Sequence, residues 1–123
     1  EVLRRIYGGQ EISKAEFEGR YYHKALEAKE LITKDFEEAL EDVDCLITPT
    51  TPLLPWKIGE KVKFEDVIVT DLLTCPVNIA GMSAVSVPMG EVEGKPVGIQ
   101  IICGKGEEAK MLSIAREIEN LKH

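Results

Sequence analysis

No apolar run in these 123 residues reaches the ~18 needed to span a bilayer. The opening EVLRRIYGG is charged and holds no hydrophobic stretch of a signal peptide. No membrane association is therefore expected. A basic excess is missing too. The net charge is −7, the reverse of an electrostatic nucleic-acid footprint. Any tRNA or DNA contact then falls to a local patch or to another polypeptide. Cysteine is scarce, with only Cys45, Cys75 and Cys103. An odd count without a CxxC pair argues against a disulfide framework and against a zinc site. Each cysteine lies among apolar neighbours, where a free thiol behaves as a small hydrophobe. A reducing cytoplasm is the expected compartment. GxGxxG, GxxxxGK[ST], HExxH and GxSxG are all absent, so no catalytic, cofactor or metal motif stands out. There are no internal repeats and no low-complexity tracts. The chain lacks an initiator Met, and a segment of a longer protein is expected.

Hydrophobic residues make up 44% and charged residues 30%, which suits a soluble globular domain. Residues 13–41 read as one long helix. Ser13 and Glu16 have capping-box spacing. Phe17, Tyr21, Leu26, Ile32, Phe36 and Leu40 recur at roughly helical spacing, and Lys and Glu fill the other face. In DVDCLITPT, the run Cys45–Leu46–Ile47 suits a short strand covered on both faces. Residues 49–65 carry Pro49, Pro52 and Pro55 and form a long loop, with Trp56 as its anchor.

Residues 66–81 read as helix, with Asp66 as a cap and Pro76 either kinking it or starting a new one. Ala84–Val87 alternates as a strand, GEVEGK is a turn, and PVGIQIICG is a second strand with Val97, Ile99 and Ile101 on one face. The short connection predicts an antiparallel hairpin. Residues 105–121 form a closing helix. Its apolar stripe is Ala109, Leu112, Ile114, Ala115, Ile118 and Leu121, with Glu107 and Glu108 at its start. The order is helix, strand, loop, helix, strand, strand, helix, an α/β arrangement by layer logic.

Candidate site residues each carry a plain reading beside the functional one. Asp71 is a helix-surface or capping carboxylate, or one aimed into a pocket to accept hydrogen bonds from an ammonium or amide. Asn78 ties down backbone near Pro76 and Gly81. Arg4 and Arg5 are solvated charges, or one is a fork for a substrate carboxylate. His23 reads as a surface residue. Ser83 and Ser86 lack a general base.

Three ordered stretches resemble one known family. These are DCLITPTTP (44–52), DLLTCPVNIAGMSAVSVPMG (71–90) and GKPVGIQII (94–102). Together they resemble the C-terminal part of the amidase signature family, over residues 1 to about 120. Within it, EVLRRIYGG is most similar to the glutaminase subunits of tRNA-dependent amidotransferases. Ser83, where the family often has Pro, and Gly9, where it more often has Thr or Ser, depart from the pattern.

The resemblance implies a mixed β-sheet core covered by helices, of which this chain supplies the C-terminal part as one segment, residues 1–123. It implies amide hydrolysis by a Ser–cis-Ser–Lys triad in the family's N-terminal half. No serine or lysine here matches that triad, so the segment alone is expected to be inactive, with no catalytic residue of its own. It implies that ammonia released from glutamine is used by a partner B subunit, with ATP and Mg, to convert Glu-tRNA(Gln) to Gln-tRNA(Gln). A small C subunit is a further implied partner, and tRNA contact comes mainly through the partner. Carried over by motif, Arg5 (Arg4 is the register alternative) and Asp71 match the pair that holds glutamine's α-carboxylate and α-amino group. The alternatives are another amidase-type hydrolase and a non-catalytic α/β interaction module. An unpaired sheet edge would favour self-association.

Overall fold

The computed structural model describes residues 2–12 and 19–121. The elements in chain order are α1 (Val2–Ile12), α2 (Arg20–Ala39), β1 (Leu46–Pro49), α3 (Phe64–Thr70), α4 (Cys75–Ala80), β2 (Ser83–Val92), β3 (Lys95–Cys103) and α5 (Glu108–Asn120). The three strands form one sheet in the order β1-β3-β2, and both pairings are antiparallel.

Strand β3 lies between the other two, and its run from Gln100 to Cys103 is buried throughout. Side chains alternate along a strand, so this run feeds two cores at once. On one face Ile101 and Cys103 join Val87, with Val85 and Ile99, under Met111, Ile114, Ala115 and Ile118 of α5. On the other face Ile102 and Leu46 meet Val77 and Ala80 of α4, Met82, and Ile32, Phe36 and Leu40 from the C-terminal end of α2. The result is helix, sheet, helix, as expected for α/β.

The covered-on-both-faces reading of β1 is corrected. Among the described residues the continuous apolar run belongs to an edge strand, with alternating burial, and Ile47 is 55% exposed. The doubly covered strand is β3. The centre of a sheet receives helices on both sides, while its edge does not.

Helix α2 begins after Gly19, whose φ of 67° lies in the left-handed region. Ser13, Glu16 and Phe17 lie outside the described residues. Of the remaining stripe, Ile32, Phe36 and Leu40 pack, while Tyr21 and Leu26 stay exposed. Of the two readings of 66–81, the structure has the one in which Pro76 starts a new helix. Asp66 lies in the first turn of α3, and Lys63 occupies the cap position. Pro76 stands in the first turn of α4, where its missing N–H costs no hydrogen bond.

Helix α4 ends in a Schellman motif. The Met82 N–H bonds the Val77 carbonyl (3.2 Å) and the Gly81 N–H bonds the Asn78 carbonyl (3.2 Å). Gly81 supplies the positive φ of 72°, and Met82 and Val77 pack together in the core.

The hairpin is longer than the sequence suggests. Glu93 and Gly94, both with positive φ, make a two-residue turn between the paired Val92 and Lys95. A bulge between Pro88 and Gly90 shifts the register. In α5 the packed positions are Met111, Ile114, Ala115 and Ile118. Leu112 and Leu121 are exposed, and Met111, absent from the expected stripe, is buried.

This division predicts two contrasting truncations. Ile101→Ala, at 0% exposure, should lower stability by about 2–5 kcal/mol. Leu112→Ala, at 56% exposure, should stay within about 0.5 kcal/mol. Urea unfolding midpoints compare the two, and equal losses would contradict the assigned core.

Candidate functional site

Asp71 follows the last residue of α3 and opens the turn leading to α4. Its backbone is heavily engaged. The Asp71 carbonyl accepts the Cys75 N–H (2.8 Å), the Thr74 N–H (3.3 Å) and the Thr74 hydroxyl (3.4 Å). Asn78 Nδ2 donates to the Thr74 carbonyl at 2.9 Å. This is the backbone-tying role read for Asn78 from sequence. Asp71, Thr74, Cys75, Asn78 and Ile79 line an open depression of about 390 Å³. The carboxylate is thus presented from a fixed turn at a solvent-accessible concavity.

A buried amide holds this turn to the sheet. Gln100 is only 5% exposed. Its Nε2 donates to the Leu73 carbonyl at 3.1 Å and to Thr48 Oγ1 at 3.3 Å. Both N–H groups of the amide are used, and one side chain joins β3, β1 and the 71–74 turn. The sequence reading included Gln100 in GKPVGIQII but assigned it no role. The visible signal was a lone amide inside an otherwise apolar strand, where burial demands hydrogen-bond partners.

Of the two arginines, Arg4 meets the start of α3. The Arg4 guanidinium lies 4.9 Å from the centroid of the Phe64 ring, a cation–π contact. Phe64 begins α3 and Asp71 follows its end. A helix rises ~1.5 Å per residue, so seven residues separate these points by roughly 10 Å. One side-chain contact thus links α1, which carries Arg4 and Arg5, to the start of the helix that precedes Asp71. Arg5 itself is exposed on α1.

The remaining candidates are structural. Ser86 Oγ is 2.6 Å from Thr50 Oγ1; a second hydroxyl is no general base. Gly98 makes room for this pair, since an added Cβ would stand 2.9 Å from Ser86 Oγ and 3.1 Å from Thr50 Oγ1. Ser83 is buried. His23 stands edge-on to the neighbouring Tyr22 ring. Trp56, expected as the anchor of its loop, is 39% exposed and joins neither core cluster; it lines an apolar cleft of about 370 Å³ with Pro49, Pro52, Pro55 and Val97. Among the described residues no three His, Cys, Asp or Glu side chains group as a metal site requires. No helix among them is long and apolar enough to cross a membrane.

Comparison with known proteins then decides the family, because the amidase family model matches residues 1–112. The chain belongs to the amidase family. It is 45% identical over 120 residues to the A subunit of the glutamyl-tRNA(Gln) amidotransferase of Methanosphaera stadtmanae, covering 98% of this chain and 26% of that protein. It is 46% identical over 116 residues to the protein of the same name from Symbiobacterium thermophilum, covering 94% of this chain and 24% of that protein.

Among solved structures, the A subunit of the Thermotoga maritima glutamyl-tRNA(Gln) amidotransferase matches with a TM-score of 0.78 at 36% identity, over 96% of this chain and 26% of that one. An amidase structure matches with a TM-score of 0.72 at 30% identity, over 80% of this chain and 24% of that one. This amidase-family chain thus spans about a quarter of the length of the relatives it matches.

The Gln100 arrangement carries a prediction. Gln100→Leu keeps an apolar filler of similar length and removes both donors. It should cost about 1–3 kcal/mol, because the Leu73 carbonyl loses its partner at the buried amide. Amide exchange over residues 71–75 should quicken more than over β3. Unchanged exchange in the turn would show that Gln100 does not hold it.

Proposed function

We propose that this amidase-family chain forms the glutamine-binding wall and part of the core sheet of an amidotransferase's glutaminase (A) subunit. The observation that carries the proposal is the Asp71 carboxylate, held on a hydrogen-bonded turn at an open depression, with Arg4 of α1 in contact with Phe64 at the start of the same helix, α3. A free amino acid carries one cation and one anion. A carboxylate and a guanidinium can grip both ends while leaving the side-chain amide free to react. In this reading Asp71 takes the α-ammonium and Arg5, or Arg4 in the alternative register, takes the α-carboxylate. Such a pair positions substrate, and the Ser–cis-Ser–Lys triad that cleaves it comes from sequence outside these 123 residues. Residues 1–123 alone are then inactive.

The similarity to proteins named for the A chain of glutamyl-tRNA(Gln) amidotransferase supports glutamine as the amide donor and Glu-tRNA(Gln) as the final acceptor. A B subunit would spend ATP with Mg on the acceptor and make most of the tRNA contact, in keeping with the net charge of −7 on this chain. A C subunit would complete the cytoplasmic assembly. A simple amidase is the second reading, favoured by the likeness to an amidase structure.

The test is Asp71→Ala in an assembled amidotransferase whose glutaminase component contains this segment. Loss of a charged hydrogen-bond partner should raise the glutamine KM roughly 10- to 100-fold, with a smaller change in kcat. Amidation driven by added ammonium salt should be unaffected, since it bypasses glutamine. An unchanged glutamine KM would remove Asp71 from the site. Loss of the ammonium-driven reaction would show damage to assembly instead and overturn a purely substrate-binding role.

A further inference from the structure

Two of the three cysteines stand opposite each other at the end of the β1–β3 ladder. The register pairs Leu46 with Ile102 and Ile47 with Ile101. The next position outward sets Cys45 across from Cys103. Contacts on the other face support that frame, because Gln100 reaches its cross-strand partner Thr48 and Leu46 shares a cluster with Ile102. By strand alternation Cys45 and Cys103 share the α5 face, where both belong to one packed cluster. Directly opposite residues of an antiparallel pair have Cβ atoms ~4.5–5.5 Å apart. A disulfide needs ~3.5–4.5 Å, a small closure at the end of an edge strand. All three cysteines are free thiols.

We propose that Cys45 and Cys103 form an oxidation site, a dithiol that closes to a cross-strand disulfide under hydrogen peroxide and reopens with a dithiol reductant. Cys45 is half-buried and Cys103 fully buried, so Cys45 meets the oxidant first. Its thiolate attacks the peroxide O–O bond, becomes a sulfenic acid and releases one water after protonation. The Cys103 sulfur then attacks the Cys45 sulfur, gives up its proton and expels the hydroxyl as the second water. Two thiols lose two electrons and the O–O bond takes them. Burial, and next the charge of Cys45, hold the Cys103 thiol above its ordinary range. Its hydrogen points to the Asp44 carbonyl at 3.6 Å. Cys103 is thus suited to resolve the sulfenic acid rather than to meet peroxide itself. Lys110 of α5 pairs with Asp44, the residue before Cys45, at 3.1 Å. The product ties the exposed edge strand covalently to the sheet centre. Cys75, exposed on α4, lies outside the pair and serves as an internal control.

The experiment treats the purified chain with hydrogen peroxide, alkylates it, digests it without reduction and reads the peptides by mass spectrometry. The expected product links the Cys45 and Cys103 peptides within one molecule and disappears on dithiothreitol treatment. The oxidised chain should unfold at a urea midpoint higher by about 1 M. Cys45→Ser should abolish the link and leave Cys103 reduced. Cys103→Ala should leave Cys45 as a sulfenic acid that dimedone traps. If Cys103→Ala does not fold, Cys45→Ser alone decides, because it alters the more accessible member. Recovery of Cys45 and Cys103 as separately alkylated thiols after Cys75 is fully oxidised would overturn the proposal, as would disulfides found only through Cys75.

Discussion

One buried amide joins the middle strand to β1 and to the turn that carries Asp71. Gln100 lies in the middle strand, with hydrophobic neighbours before and after it. An amide there is costly unless its donors are used. Using them forces two further segments into place: Thr48 of β1 and the Leu73 carbonyl in the turn after Asp71. Burial of β3 therefore does more than fill a core. It converts the cost of an unsatisfied polar group into a positional constraint on the turn that presents the candidate carboxylate. The turn's own hydrogen bonds, from Thr74, Cys75 and Asn78, then set its local shape.

Much of this architecture could be read from residue patterns, and the failures have physical reasons. The hairpin and the Val97–Ile99–Ile101 face were legible because strand alternation is a local property. So were the start of α4 at Pro76 and its end at Gly81, since each residue restricts its own backbone. Covering of β1 was not legible. A short apolar run signals a strand, but whether helices lie on both faces depends on its place in the sheet, which is non-local. Met111 was missed and Leu112 wrongly included for a related reason: adjacent residues on a helix differ by ~100° in direction, and only packing against Ile101 and Cys103 picks the phase. At the site, Asp71 was visible through its motif. Gln100 was not, because its partners lie 27 and 52 positions away.

The electrostatics of the surface fit the same division of labour. Charged residues are concentrated on helices that expose most of their surface, and ion pairs such as Lys34–Glu38 are open to solvent. Exposed pairs of this kind contribute little to stability. Stability instead comes from the two apolar clusters on either face of β3. Acidic surface charge and an apolar, doubly covered strand are separate features, and only the strand, through Gln100, holds the turn at Asp71 in place.

The two serines weighed as nucleophiles, Ser83 and Ser86, stand on β2. A nucleophilic hydroxyl needs a base to take its proton. Ser86 has a hydroxyl partner instead, Thr50, and the two sit where Gly98 leaves space for them. Ser83 is buried at the start of β2. Both serines therefore serve the sheet. The carboxylate of Asp71 is different: its backbone is fixed while its side chain borders open space. A group held in this way is preorganised for a ligand, because the entropy of ordering the turn is lost on folding rather than on binding. A fixed carboxylate at the rim of an open depression is the arrangement on which the proposed grip on a small zwitterion rests.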